Sequence, residues 1–134
     1  MDVTKAWVRV CSLDTLSPHK ASELMIAGQR LTIARCGDGA YVLQGFCSHM
    51  LFPLAGNKIE GCILTCELHG SRFNVQDGSV VEWSTYPPIT GAMLEILLQQ
   101  KSLRTYETKI EDDSVFILWP TDDPETVPVK VKMA

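Results

Sequence analysis

The chain has 134 residues, 46% hydrophobic and 21% charged, with 16 acidic against 12 basic residues and a formal net charge of −4. That is enough apolar content for one domain with its own core, and no basic cluster exists that could track a phosphate backbone, which excludes nucleic acid as a partner. No stretch approaches the ~20 apolar residues of a membrane span, and the opening Met1-Asp2-Val3-Thr4-Lys5 lacks a basic run followed by an apolar segment, so a cytoplasmic protein with no membrane association is expected.

Taken in order, the chain reads as short strands. Ala6 to Cys11 alternates, the segment from Ser12 to His19 with Asp14, Ser17 and Pro18 breaks it, and Glu23-Leu24-Met25-Ile26 resumes. Gly28-Gln29 turns the chain into Leu31-Thr32-Ile33-Ala34. Gly37-Asp38-Gly39 then supplies residues that tolerate positive φ for a hairpin, and Tyr41 to Phe46 runs directly into Cys47. Gly56-Asn57 is a turn signal, Lys58-Ile59-Glu60 a short strand, and Cys62 to Thr65 a β-rich strand that ends on Cys66. Arg72 to Val75, the turn Gln76-Asp77-Gly78-Ser79 and Val80 to Trp83 make a hairpin. Pro87-Pro88 marks a stiff extended segment with fixed φ. From Ala92 to Lys101 strong helix formers place Met93, Ile96 and Leu97 at helical spacing, which predicts a short helix over about 92–100 packed on the core. Leu103 to Ile110, the turn Glu111 to Ser114 and Val115 to Trp119 read as strand, turn and strand. After Pro120 the chain is an extended arm, with Val127, Val129 and Val131 alternating as on a sheet edge.

Two loops carry chemistry. Cys47-Ser48-His49 and Cys66-Glu67-Leu68-His69, sixteen residues apart from Met50 to Thr65, each offer one thiol and one imidazole. Sulfur and imidazole nitrogen suit zinc or an iron–sulfur cluster, and oxygen-loving magnesium or calcium is excluded. A classical zinc finger gathers like ligands in pairs, cysteines first and histidines later. Here each loop mixes the two types, as required of opposed loops that hold one iron by two cysteines and the other by two histidines. A zinc-bound interaction module stays as an alternative. The other three cysteines, Cys11, Cys36 and Cys62, show no framework spacing and read as reduced and structural.

With Cys47-Ser48-His49, Pro53-Leu54, Leu64-Thr65-Cys66, His69-Gly70-Ser71-Arg72-Phe73, Asp77-Gly78 and Pro87-Pro88 in this order, the sequence resembles the Rieske ferredoxin family. The resemblance implies an all-β Rieske fold: an antiparallel β-sandwich base with a small β cluster-binding subdomain. It makes the chain a single domain, 1–134, with the cluster-binding part at about 46–88 inserted in a base of about 3–45 and 89–119, and a tail at 120–134. It implies one Rieske-type [2Fe–2S] cluster per chain. Cys47, His49, Cys66 and His69 would be the ligands, Ser71 a hydrogen-bond donor to cluster sulfide, and Pro87 and Pro88 part of a covering loop. The segment 91–101 departs from the family pattern, which passes quickly from the proline loop to the last hairpin.

The function implied is single-electron transfer, without catalysis by the chain alone, from a flavin or iron–sulfur reductase to the terminal oxygenase of a bacterial multicomponent aromatic-ring system. A Rieske-like small subunit of a nitrite reductase shares the fold and is the alternative. Respiratory Rieske proteins have an additional cysteine in each ligand loop, where this chain has Phe52 and Leu68, and a tyrosine donor where it has Phe73. Fewer donors to sulfur mean less stabilisation of the reduced cluster, so the resemblance implies a midpoint in the lower half of the family range of about −150 to +300 mV.

Overall fold

A computed structural model describes residues 4–47, 53–67, 70–82 and 102–132. The strands are β1 (Lys5–Ser12), β2 (Ser22–Ile26), β3 (Gln29–Cys36), β4 (Gly39–Gln44), β5 (Ile59–Glu60), β6 (Ile63–Thr65), β7 (Arg72–Asn74), β8 (Val80–Glu82), β9 (Thr105–Tyr106), β10 (Thr108–Glu111), β11 (Ser114–Pro120) and β12 (Val129–Lys132), with a 3-10 turn at Leu13–Thr15. They form three antiparallel sheets, ordered β1-β11-β10, β12-β2-β3-β4-β9 and β5-β6-β7-β8. The expected all-β architecture is therefore present. The helix read over about 92–100 lies outside the described residues, as do Pro87 and Pro88.

Alternation explains how the first two sheets meet. Val8 and Val10 on β1, Leu24 and Ile26 on β2, and Val115, Ile117 and Trp119 on β11 fall at every second position, and all are buried in one core with Leu13 and Leu16. Burying each such side chain stabilises by about 1.5–3 kcal/mol, so period-two patterning suffices to hold two sheets face to face. β3 and β4 differ from the other strands. Leu31, Ile33, Ala40 and Val42 point into that core, while Ala34 and Leu43 belong to a second core with Leu54, Ile59, Leu64, Phe73, Val75 and Leu103. The third sheet thus packs on the back of the β3–β4 hairpin.

Two details differ from the sequence reading. The run from Leu103 to Ile110 is not one strand: β9 pairs with β4, and after Glu107 the chain changes sheets so that β10 pairs with β11. The change is secured on both sides, since the Leu118 amide donates to the Glu107 carbonyl at 2.9 Å and the Thr108 hydroxyl to the Ala40 carbonyl at 2.7 Å. Cys36 and Cys62, read as reduced, are joined as a disulfide with Cα atoms 5.1 Å apart, within the range such bridges need. Only the packing of the β3–β4 turn against the β5–β6 turn brings them together, and no local spacing announces that. Of the alternating valines after Pro120, Val129 and Val131 fall in β12, where they pair with Ile26 and Leu24, and Val127 precedes it.

Candidate metal centre

Each cysteine of the motif is delivered by a strand. β4 ends at Gln44, whose amide side chain ties down the exit: Nε2 donates to the Phe46 carbonyl at 2.7 Å and Oε1 accepts from the Arg104 amide at 2.6 Å. Gly45 must be glycine, because a Cβ there would stand 2.6 Å from the Arg30 carbonyl oxygen. Beyond it Phe46 bridges to Pro53, and the Leu54 amide donates to the Gly45 carbonyl at 3.0 Å, closing the first loop at its neck. Asn57 Nδ2 donates to the Pro53 carbonyl at 3.1 Å and holds the far side. Cys47 sits just inside the neck and is 4% exposed.

The second loop leaves β6. The Cys66 amide donates to the Ser71 carbonyl and the Gly70 amide to the Cys66 carbonyl, both at 2.7 Å. Gly70 adopts φ 84°, a left-handed backbone that glycine takes without steric cost. Cys66 and Ser71 are fully buried. Cys47 and Cys66 lie in the same apolar core, with Leu54, Leu64 and Phe73 among its members. Phe73, in the position the resemblance pairs with a tyrosine donor, is itself fully buried. His49, His69, Phe52 and Leu68 lie outside the described residues.

The donor chemistry fits an iron–sulfur group. A thiolate buried among aliphatic and aromatic side chains loses its hydration and is held there only against a cation, which ferric iron supplies. Around the loops the surface carries charge of both signs. Lys58 and Glu60 pair at 2.6 Å, and Arg72 lies 3.6 Å from Glu82. The hydrogen bond from Lys58 holds the Glu60 carboxyl below the usual carboxylate range. The β7–β8 turn is pinned by Asp77, whose Oδ1 accepts from the Ser79 amide at 2.9 Å. Its Gly78 carbonyl accepts from the Leu103 amide at 2.8 Å, so the hairpin is stitched to the segment that leads into β9.

Residues 6–107 match the model of the Rieske [2Fe–2S] domain. The chain belongs to that family, whose cofactor is a Rieske-type [2Fe–2S] cluster. It is 27% identical over 77 residues to Ferredoxin CarAc of Metapseudomonas resinovorans, covering 57% of this chain and 72% of that one. It is 23% identical over 115 residues to the ferredoxin component of the naphthalene 1,2-dioxygenase/salicylate 5-hydroxylase systems of a Ralstonia species, covering 86% of this chain and 97% of that one. The ferredoxin complex of carbazole 1,9a-dioxygenase, oxidized ferredoxin with reduced oxygenase, superposes with a TM-score of 0.64 at 23% identity, over 84% of this chain and 92% of that chain.

Proposed function

We propose that the protein is the ferredoxin of an oxygenase system, carrying one electron at a time from a flavin or iron–sulfur reductase to a terminal oxygenase in the cytoplasm. The observation that carries this reading is the pair of buried cysteines, Cys47 and Cys66, each at a strand exit and each opening a Cys/His loop. A match over 86% of this chain and 97% of a ferredoxin component supports it. In this reading Cys47 and Cys66 hold one iron and His49 and His69 the other, within a single domain whose ligand-bearing part is about 46–88. Ser71, which is fully buried, would donate to sulfide, and Pro87 and Pro88 would belong to a segment covering the site.

When bound, the cluster supplies a one-electron couple. The chain's own contribution is to fix the two loops at their necks, exclude water from the cysteine side and leave the histidine side for a docked partner. The mild acidic excess suits docking faces of basic character.

The test is the protein as purified anaerobically. Two irons and two acid-labile sulfides per chain, uptake of one electron per chain on dithionite titration, a rhombic EPR signal of low average g and delivery of that electron to ferricytochrome c are expected. Stoichiometric zinc without labile sulfide would sink the reading. Tight stoichiometric co-purification with a large redox subunit would instead favour the nitrite reductase small subunit.

A further inference from the structure

We propose that Cys36 and Cys62 form a reversible thiol–disulfide pair, a second redox centre beside the cluster, that latches the ligand-bearing sheet to the base. The bridge joins the end of β3 to the turn between β5 and β6, across 26 residues of sequence. Both cysteines are partly exposed, and they sit next to exposed Gly37 and Gly61, where a side chain would meet nothing within 4 Å. The bridge thus lies at a solvent-facing corner, the side from which a thiolate would approach its sulfurs. Cys11 is unlike them: it is unbridged, and burial pushes its thiol up.

The backbone around the bridge does not depend on it. Cys36 remains paired with Gly39 in the β3–β4 hairpin, the Cys62 carbonyl accepts from the Val75 amide at 2.9 Å, and Ile63 pairs with Asn74. Opening the bridge leaves each sheet intact and loosens only their attachment at this corner. Elsewhere the third sheet and its loops are tied to the base by the Ile59 amide to the His19 carbonyl at 2.8 Å, the Gly56 amide to the Ala21 carbonyl at 2.7 Å, and the Leu103 to Gly78 bond. Those ties keep the domain folded when the pair is reduced.

The position gives the latch its effect. Cys62 precedes Cys66 by four residues, and β6 is the whole of the path between them. Cys36 and Cys62 both pack against the core that contains Cys47 and Cys66. A pair closed under oxidising conditions holds the strand that presents Cys66, and an open pair lets that strand fluctuate. In the reducing step a small-molecule or protein dithiol attacks one sulfur, forms a mixed disulfide and releases the other cysteine as thiolate. Its second thiol then displaces the first cysteine, so the pair gains two electrons and two protons and the dithiol becomes a disulfide. Disulfides of cytosolic proteins are usually of this transient or sensing kind, which suits the cytoplasmic location proposed above. The effect on the cluster rests on the assignment of Cys66 as a ligand, whereas the bridge itself does not.

The experiment uses full-chain holoprotein exposed to glutathione disulfide or to dithiothreitol, trapped with iodoacetamide and mapped by peptide mass. The Cys36 and Cys62 peptides should be cross-linked after the first treatment and separately alkylated after the second, with visible absorbance unchanged at that point. Iron release to a chelator should then run several-fold faster from the dithiothreitol-treated protein. Cys36→Ser and Cys62→Ser should release iron at the fast rate whatever the treatment, and Cys11→Ser should behave as wild type. Full alkylation of both cysteines after glutathione disulfide, or equal iron-release rates from the two wild-type forms, would overturn the proposal, and neither comparison needs a variant to fold. Should the protein hold no cluster, peptide mapping still decides the bridge and the thermal midpoints of the two forms decide the latch. That result would count against the ligand assignment alone.

Discussion

Thr32 shows what a single buried atom can report. Its side chain is fully buried between Glu23 and Leu43 in register, and among the described residues its Oγ1 has no hydrogen-bond partner. Leaving a hydroxyl desolvated and unpaired costs about 1–3 kcal/mol, so Thr32→Val should raise stability by about 1 kcal/mol and Tm by about 4 °C. A fall in the calorimetric Tm would mean that the hydroxyl is satisfied. Gly45→Ala should act in the opposite sense. Its Cβ would meet the Arg30 carbonyl, a backbone atom that cannot swing aside, and a loss of about 2 kcal/mol in urea unfolding is expected. Asp77 adds a pH dependence: hydrogen bonds from Ser79 hold its carboxyl below the ordinary value. The stabilisation is therefore complete above the ordinary aspartate pKa and is lost as pH falls through the lowered one. Of these residues only Asp77-Gly78 was legible as a turn. The need for glycine at Gly45 arises from a strand distant in sequence, which no local pattern encodes.

At the scale of elements, hairpins were legible because both halves of the signal are local. Gly37-Asp38-Gly39 and Gln76 to Ser79 combine turn chemistry with flanking alternation, and both form the turns read from them. The division of residues 103–110 between two sheets was not legible, since β9 and β10 share one propensity and only their partners differ. The Cys36–Cys62 bridge was missed for the same reason. For β12 the alternating valines gave the edge strand, and its worth can be measured. Val127, Val129 and Val131 pack on the base core while remaining partly exposed. At about 1 kcal/mol for each half-buried valine, deletion of residues 122–134 should cost about 3 kcal/mol in urea unfolding and leave the visible spectrum unchanged. A loss of under 0.5 kcal/mol would show that the arm contributes little to the folded base.

For the molecule as a whole, the family was the most legible feature, because mixed Cys/His pairs are a chemical statement in themselves, and residues 6–107 match the Rieske [2Fe–2S] domain. His49→Cys or His69→Cys, in protein shown to keep its cluster, should lower the midpoint potential on the order of 200 mV. The added thiolate puts negative charge beside the reducible iron, and all-cysteine plant-type clusters lie near −400 mV against about −150 to +300 mV for Rieske centres. Protein-film voltammetry reads this directly, and an unchanged potential would remove that histidine from the ligand set.

The β3–β4 hairpin carries a cost in evolvability. In most strands of a sandwich every second position faces water and can drift, but residues 31–34 of β3 are all buried, as are Val42 and Leu43 on β4. Neither parity of these strands is free. A library of charged substitutions should be depleted at all four positions from Leu31 to Ala34. Along β11, by contrast, the loss should fall mainly on Val115, Ile117 and Trp119, with Phe116 and Leu118 more permissive. Change in the base and change around the core that contains Cys47 and Cys66 must therefore pass through the same few side chains, and sequence divergence on one side of the hairpin constrains what the other side can accept.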